Sequence, residues 1–203
     1  MRKIIAVSVI GLSLAMFAGA QTSTTTAPTR QETLEAKRAE RQTQIEAKRT
    51  ELQAKLNTIR DERKKQTVEG IFLKVNALNE RMTDHFTNVL DQIDKMLDRV
   101  ESRASKGEAN GLNVSAAKTE ITNSQNAITA ARDAVKTQGE KVYSVQTTGN
   151  EATLRSDVGK TRQALHEDLV AARDKVKAAR DAVRKAAVAL AQIPRVDEVE
   201  APA

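Results

Sequence analysis

The stretch from Val114 to Val145 constrains this chain more than any other. Val114, Ala117, Ile121, Ser124, Ile128, Ala131, Val135, Gln138, Val142 and Val145 follow one another at alternating spacings of three and four residues. Unbroken over four heptads, that pattern predicts one long helix with one narrow face to bury. The composition says what can bury it. The apolar content is mainly Ala, Val, Leu and Ile, with three Phe, one Tyr and no Trp. Such side chains suit helix–helix seams better than a wide interior with a ligand pocket. Charged residues make up 30% of the chain and Pro is absent from Thr29 through Ile193, as long helices require.

The chain begins with a basic start (Arg2, Lys3), an apolar run from Ile4 to about Ala18, and the small residues Ala18-Gly19-Ala20 before Gln21. Residues 1–20 therefore read as a secretory signal peptide cleaved between Ala20 and Gln21, with Ala18 and Ala20 as the small residues of the cleavage site. The other reading is an uncleaved anchor, but the run is shorter than the roughly 20 residues a span needs. Residues 21–30 form a Thr-rich linker closing on Pro28. The chain is expected to be secreted or periplasmic. It contains no Cys, which excludes disulfides, thiol catalysis, thiolate metal sites and a lipid-modified cysteine.

Residues 31–67 read as a charged N-terminal helix. Leu34-Glu35-Ala36-Lys37-Arg38-Ala39-Glu40 recurs eleven residues later as Ile45-Glu46-Ala47-Lys48-Arg49-Thr50-Glu51. A period of eleven winds close to a straight helix. The stripe is thin (Leu34, Ile45, Leu52, Leu56, Ile59), so a stalk or partner-binding arm projecting beyond the core is expected. Residues 68–193 read as a three-helix bundle. Its first helix carries Val68, Ile71, Phe72, Val75, Leu78, Met82, Phe86, Val89, Ile93, Met96, Leu97 and Val100 on one face, and Gly70 marks a candidate bend. Lys106-Gly107-Glu108-Ala109-Asn110-Gly111 is a turn, and Asn113 is a candidate N-cap within a glycosylation sequon. After a second turn at Thr147-Thr148-Gly149-Asn150, the last helix shows Val158, Arg162, Leu165, Leu169, Ala172, Val176, Ala179, Val183, Ala186, Leu190 and Ile193, and Pro194 ends it. Residues 194–203 form an acidic tail expected to be disordered.

Folded as antiparallel hairpins, the helices match in length and register. One register faces Val135 with Leu165, Ile128 with Ala172 and Ala117 with Val183; the other faces Val100 with Ala117, Met96 with Ile121 and Met82 with Val135. In the first of these Ile128 meets Ala172 and Ala117 meets Val183, so large side chains meet small ones. Gln138 falls level with Arg162, which suggests a register-setting polar layer. The expected fold is all-α, an antiparallel three-helix bundle with a long projecting, coiled-coil-like N-terminal helix.

The functional reading is mostly one of exclusion. The formal charge of +6 includes Arg2 and Lys3; without them 31 basic residues face 27 acidic ones, interspersed and without aromatic platforms, so no nucleic-acid partner is expected. No nucleophile elbow, HExxH motif or phosphate-cradling loop occurs, and no catalytic residue, cofactor or metal ligand is assigned. The registers bring His85 and His166 to similar height, where a His/carboxylate metal site is conceivable and a chance coincidence is the simpler reading. The signal peptide, the turn ESRASKGEANGLNVSAAKTEI and the closing run VAARDKVKAARDAVRKA resemble the uncharacterised secreted, Ala/Lys/Glu-rich helical proteins of small-genome bacteria. That resemblance implies export and a helical fold and carries no activity. The expected function is a structural or protein-interaction module without catalysis, meeting itself or an envelope partner through the N-terminal helix. The alternative is a peripheral lipid-binding or chaperone-like amphipathic protein.

Overall fold

Among residues 30–194, which the computed structural model describes, the chain is built from four α-helices and no strands: α1 (Arg30–Leu56), α2 (Glu62–Ala109), α3 (Ser115–Glu140) and α4 (Leu154–Ala191). The proposed signal peptide with Ala18, Ala20 and Gln21, all of the linker but Arg30, and the tail beyond Pro194 lie outside the described residues.

Local chemistry explains most of the boundaries. Asp61, in extended conformation, caps α2 by accepting from the Arg63 and Lys64 amides at 2.9 and 3.2 Å. At the other end Gly111 takes φ 78°, while the Leu112 amide reaches the Gly107 carbonyl at 3.0 Å and the Gly111 amide reaches Glu108 at 2.9 Å. This is a Schellman closure, which needs the left-handed conformation that glycine adopts freely. Asn113 accepts from both the Ser115 amide and hydroxyl at 3.1 and 2.8 Å, so its side chain does bind the start of α3. Helix α2 runs straight through Gly70; the break falls instead at residues 57–61.

The core is a set of seams. Phe86, Leu90, Ile93 and Leu97 of α2 meet Ala117, Ile121, Ile128, Ala131 and Val135 of α3 and Ala172, Val176, Ala179, Val183 and Ala186 of α4. Ala117, Ala131, Ala179 and Ala186 are 0% exposed, and these methyl-sized positions let the helices approach closely. Leu90 is buried although the sequence stripe omits it, and Met96, expected inside, is 52% exposed.

Three expectations need correction. The central helix does not reach Val145: α3 ends at Glu140, and residues 141–153 cross the molecule without helix. Tyr143, Val145 and Thr147 are buried while Gln146 and Thr148 are exposed, a period of two rather than of three and four. Second, α1 does not project. Ile45, Leu52, Leu56 and Ile59 are buried with Val68, Phe72, Val145, Leu154 and Val158. Arg38 bonds Asp84 at 2.9 Å and Arg49 bonds Glu69 at 2.7 Å, so α1 lies back along the first half of α2. The cause is heptad spacing at 45, 52, 56 and 59, a stripe that the eleven-residue repeat disguises. Third, the inward position of α4 near its start is Thr161, 7% exposed; Arg162 faces solvent.

The 141–153 segment is fastened to the α1–α2 corner. Thr58 donates to the Gly149 carbonyl at 3.1 Å, and Lys64 pairs with Glu151. Gly149 has φ 81°, and a Cβ added there would stand 2.9 Å from the Lys55 carbonyl oxygen. Gly149→Ala should therefore lower stability by about 2 kcal/mol or more, combining left-handed strain with the clash. Gly70→Ala, in a helix with open space at its Cβ, should raise it by about 1 kcal/mol. Urea unfolding followed by circular dichroism measures both.

Candidate functional site

A polar layer stands where the apolar seams of α2 and α3 would be expected to continue. Asn76, Asn79 and Thr83 occupy successive inward positions of α2 and are buried. Asn79 directs its amide nitrogen at the carbonyls of Gln138 (3.0 Å) and Lys141 (3.1 Å). Those carbonyls stand at the end of α3, where acceptors run out of helical donors; the Gln138 carbonyl also takes the Lys141 amide at 3.2 Å. Asn76 treats Tyr143 as a neighbouring strand would. Its Oδ1 accepts from the Tyr143 amide and its Nδ2 donates to the Tyr143 carbonyl, both at 2.9 Å. Two asparagines one turn apart thus hold the chain in extended form as it leaves α3.

Tyr143 carries the layer across to α4. Gln138 Nε2 donates to Asn79 Oδ1 at 2.9 Å and to the Tyr143 hydroxyl at 2.8 Å. The hydroxyl donates to Asp168 Oδ2 at 2.5 Å, and Lys141 Nζ reaches the other carboxylate oxygen at 2.9 Å. Burial pushes the Tyr143 phenol well above its usual range, and the Asp168 charge adds to that. Burial pushes the Asp168 carboxyl up as well, but the hydrogen bonds from Tyr143 and Lys141 outweigh it, and its pKa is lowered from 3.8. Every buried side-chain nitrogen and oxygen among the described residues has a partner. A layer so satisfied positions chain segments; its groups are all engaged with one another.

Beside it, α1, α2 and α3 enclose a cleft of about 510 Å³. Arg41 enters from α1, its side chain only 12% exposed, and donates to the Gly139 carbonyl at 2.6 Å while pairing with Glu80 at 3.3 Å. A guanidinium at a helix C-terminus is also favoured by the helix dipole. Arg38 is paired with Asp84, and Arg132 with Asp91 and Asp94, both at 2.9 Å. The cleft wall is therefore charged and closely balanced in sign, with Arg38, Arg41 and Arg132 each held in an ion pair.

The expected sites fare unevenly. Gln138 is a buried polar residue of the α3 seam, as expected, alongside Ser124, but its partners are Asn79 and Tyr143, and exposed Arg162 takes no part in the layer. The paired-helix register assumed that α3 continued to Val145; once it stops, Tyr143 fills that place. His85 and His166 are both exposed, and the described residues contain no group of three His, Cys, Asp or Glu side chains able to hold a metal. No described helix is long and apolar enough to cross a membrane. Asn76, Asn79, Tyr143 and Arg41 were not singled out by sequence. The available signal was Asn76, Asn79 and Thr83 recurring at helical spacing beside the apolar face of α2, together with the only Tyr of the chain. Compared with known proteins, the chain matches no family model, no curated protein and no solved structure.

Asn79→Ala removes one donor group shared by two carbonyls and the acceptor of one Gln138 N–H, while the other still reaches Tyr143, and should cost about 2 to 3 kcal/mol in urea unfolding; Tyr143→Phe should cost about 1 to 2 kcal/mol. The lowered Asp168 pKa means that its contribution is complete above the unfolded value, about 3.9, and is lost as pH falls through the lower folded value. Asp168→Asn should accordingly be less stable than wild type at pH 7, with the gap narrowing as pH falls below about 4 in matched unfolding curves.

Proposed function

We propose that the chain is an exported, non-catalytic helical module that works by contact with other protein surfaces, with α2, α3 and α4 as an antiparallel three-helix scaffold and α1 as its arm. The scaffold reading is supported by pairs that step along both helices in opposite directions: Lys118 with Glu108, Gln125 with Glu101, Arg132 with Asp94 and Gln138 with Asn79. Export rests on the basic start and apolar run of residues 1–20.

The observation that carries the arm reading is the unequal attachment of α1. From Ile45 to Leu56 it buries Ile45, Leu52 and Leu56. Over residues 35–44 the side chains are exposed except Arg41, with Ala36 and Ala39 turned outward. That half is held over the cleft by Arg41 and by the Arg38–Asp84 pair, whose side chains are 55% and 48% exposed. Exposed ion pairs of this kind contribute about 0 to 1 kcal/mol. Held by one largely buried hydrogen bond and one exposed pair, this half lifts from its scaffold at smaller cost than the apolar half, and its charged face then becomes available to a partner.

Hydrogen exchange on the exported chain tests this. Amides of residues 35–44 should exchange far faster than those of residues 121–135 in α3, with residues 45–56 intermediate. Anionic vesicles should leave both the pattern and the sedimentation of the protein unchanged. Protection of residues 35–44 equal to that of α3 would remove the arm; co-sedimentation with vesicles and new protection of α1 would replace a protein partner with a lipid surface.

A further inference from the structure

The corner between α1 and α2 differs from the other two connections. The α2–α3 turn depends on Gly111 at φ 78° and the segment before α4 on Gly149 at φ 81°. The α1–α2 corner, Asn57-Thr58-Ile59-Arg60-Asp61, contains neither Gly nor Pro, so nothing in its backbone chemistry forbids helix. It is held bent by tertiary contacts and one local cap: Ile59 is 2% exposed, Thr58 bonds the Gly149 carbonyl, Lys64 pairs with Glu151, and Asp61 caps α2 two and three residues along the chain. Straightened, α1 and α2 would form one rod. Ile59 and Val68, the facing ends of the two apolar stripes, are nine residues apart in the chain, two and a half turns at 3.6 residues per turn. The stripes would then lie on opposite sides of the rod, and a single chain could not cover both.

We propose that α1 exchanges between two copies of this chain: the corner straightens, and the α1 of each copy takes the α1 seat of the other. This rests on the reading of α1 as a detachable arm and names its occupant and its partner. The seat is specified on both sides. Val68, Phe72, Val145, Leu154 and Val158 receive Ile45, Leu52 and Leu56. The carbonyl of Gly139 at the end of α3 is capped only when an α1 brings Arg41 to it, so the scaffold of either copy is incomplete without an arm, its own or the other's. Because the exchanged contacts are the ones already made within one chain, the dimer keeps them and changes only the corner.

Two substitutions move the corner in opposite directions. Asp61→Ala removes the cap that only the bent form needs, worth about fivefold per corner, and two corners open per dimer, so the dimer should tighten by about thirtyfold. Glu62→Pro occupies the first helical position of α2, where proline is accepted, and Asp61 already has the extended conformation (φ −81°, ψ 103°) that precedes proline. In a continuous rod that proline would sit in a helix interior, so Glu62→Pro should abolish the dimer while preserving helicity. Light scattering over a concentration series reads all three proteins, with wild type passing from monomer to dimer. The chain has no Cys, so a mixture of Arg38→Cys chains with Asp84→Cys chains reports the seat through a short bismaleimide linker. Linked heterodimers from the mixture are expected, and they should disappear when both chains also carry Glu62→Pro. Monomers at every concentration for both wild type and Asp61→Ala, or a dimer untouched by Glu62→Pro, would overturn the exchange. Those results would leave the arm itself standing where hydrogen exchange still shows residues 35–44 open, whereas uniform protection there would remove arm and exchange together.

Discussion

The structure depends on two asparagine side chains that replace a backbone. At the end of α3 the seam residues could continue as helix, since Val142 and Val145 keep the required spacing. What stops them is the supply of partners on α2: Asn79 satisfies the carbonyls of Gln138 and Lys141, and Asn76 pairs with both backbone groups of Tyr143. Buried backbone groups must be bonded somewhere. Here α2 offers the bonds that a further helical turn would otherwise supply, and the extended path also lets Tyr143 reach Asp168 on α4.

Ending α3 there has consequences at a distance. The thirteen residues from Lys141 to Thr153 become a strap whose buried side chains alternate, and Val145 leaves the α3 seam to join the cluster beneath α1. Its glycine at 149 lies against the α1–α2 corner, so the same segment that closes the α3 end also bends the chain between α1 and α2. Arg41 returns the favour by capping Gly139. The polar layer, the strap and the seat of α1 are therefore linked, and the mainly apolar seams of α2, α3 and α4, with Ser124 as a buried hydroxyl, continue further along the bundle.

This division suits the proposed role in contact with other protein surfaces. Methyl-sized residues in the seams give close, directional packing that leaves little interior volume. The polar layer adds positional specificity, and the surface is covered by ion pairs of both signs. In the proposed role the adaptable part is α1, attached through a thin stripe and a corner held by tertiary contacts and the Asp61 cap.

Much of this was legible in the residues. Helix content, the helical core stretches of α2 and α4, the turn at Gly111, the end at Pro194 and the burial of Gln138 follow from spacing and local chemistry, which are properties of neighbouring residues. Residues 142–145 carry the wrong period in the sequence reading, because Val142 and Val145 satisfy a helix while Tyr143, Val145 and Thr147 satisfy an extended segment. The choice between the two belonged to Asn76 and Asn79, more than 60 residues away in sequence from Tyr143 and Lys141. Arg162 and Thr161 pose the same problem one residue apart, and the fate of α1 turned on whether Leu52, Leu56 and Ile59 found a surface to cover. The sequence by itself determined which segments are helical and which faces are apolar, because those depend on local propensity and periodicity. Only the tertiary structure decided where α3 stops, which polar groups pair and where α1 lies, because each of those is a competition among partners that local order does not bring together.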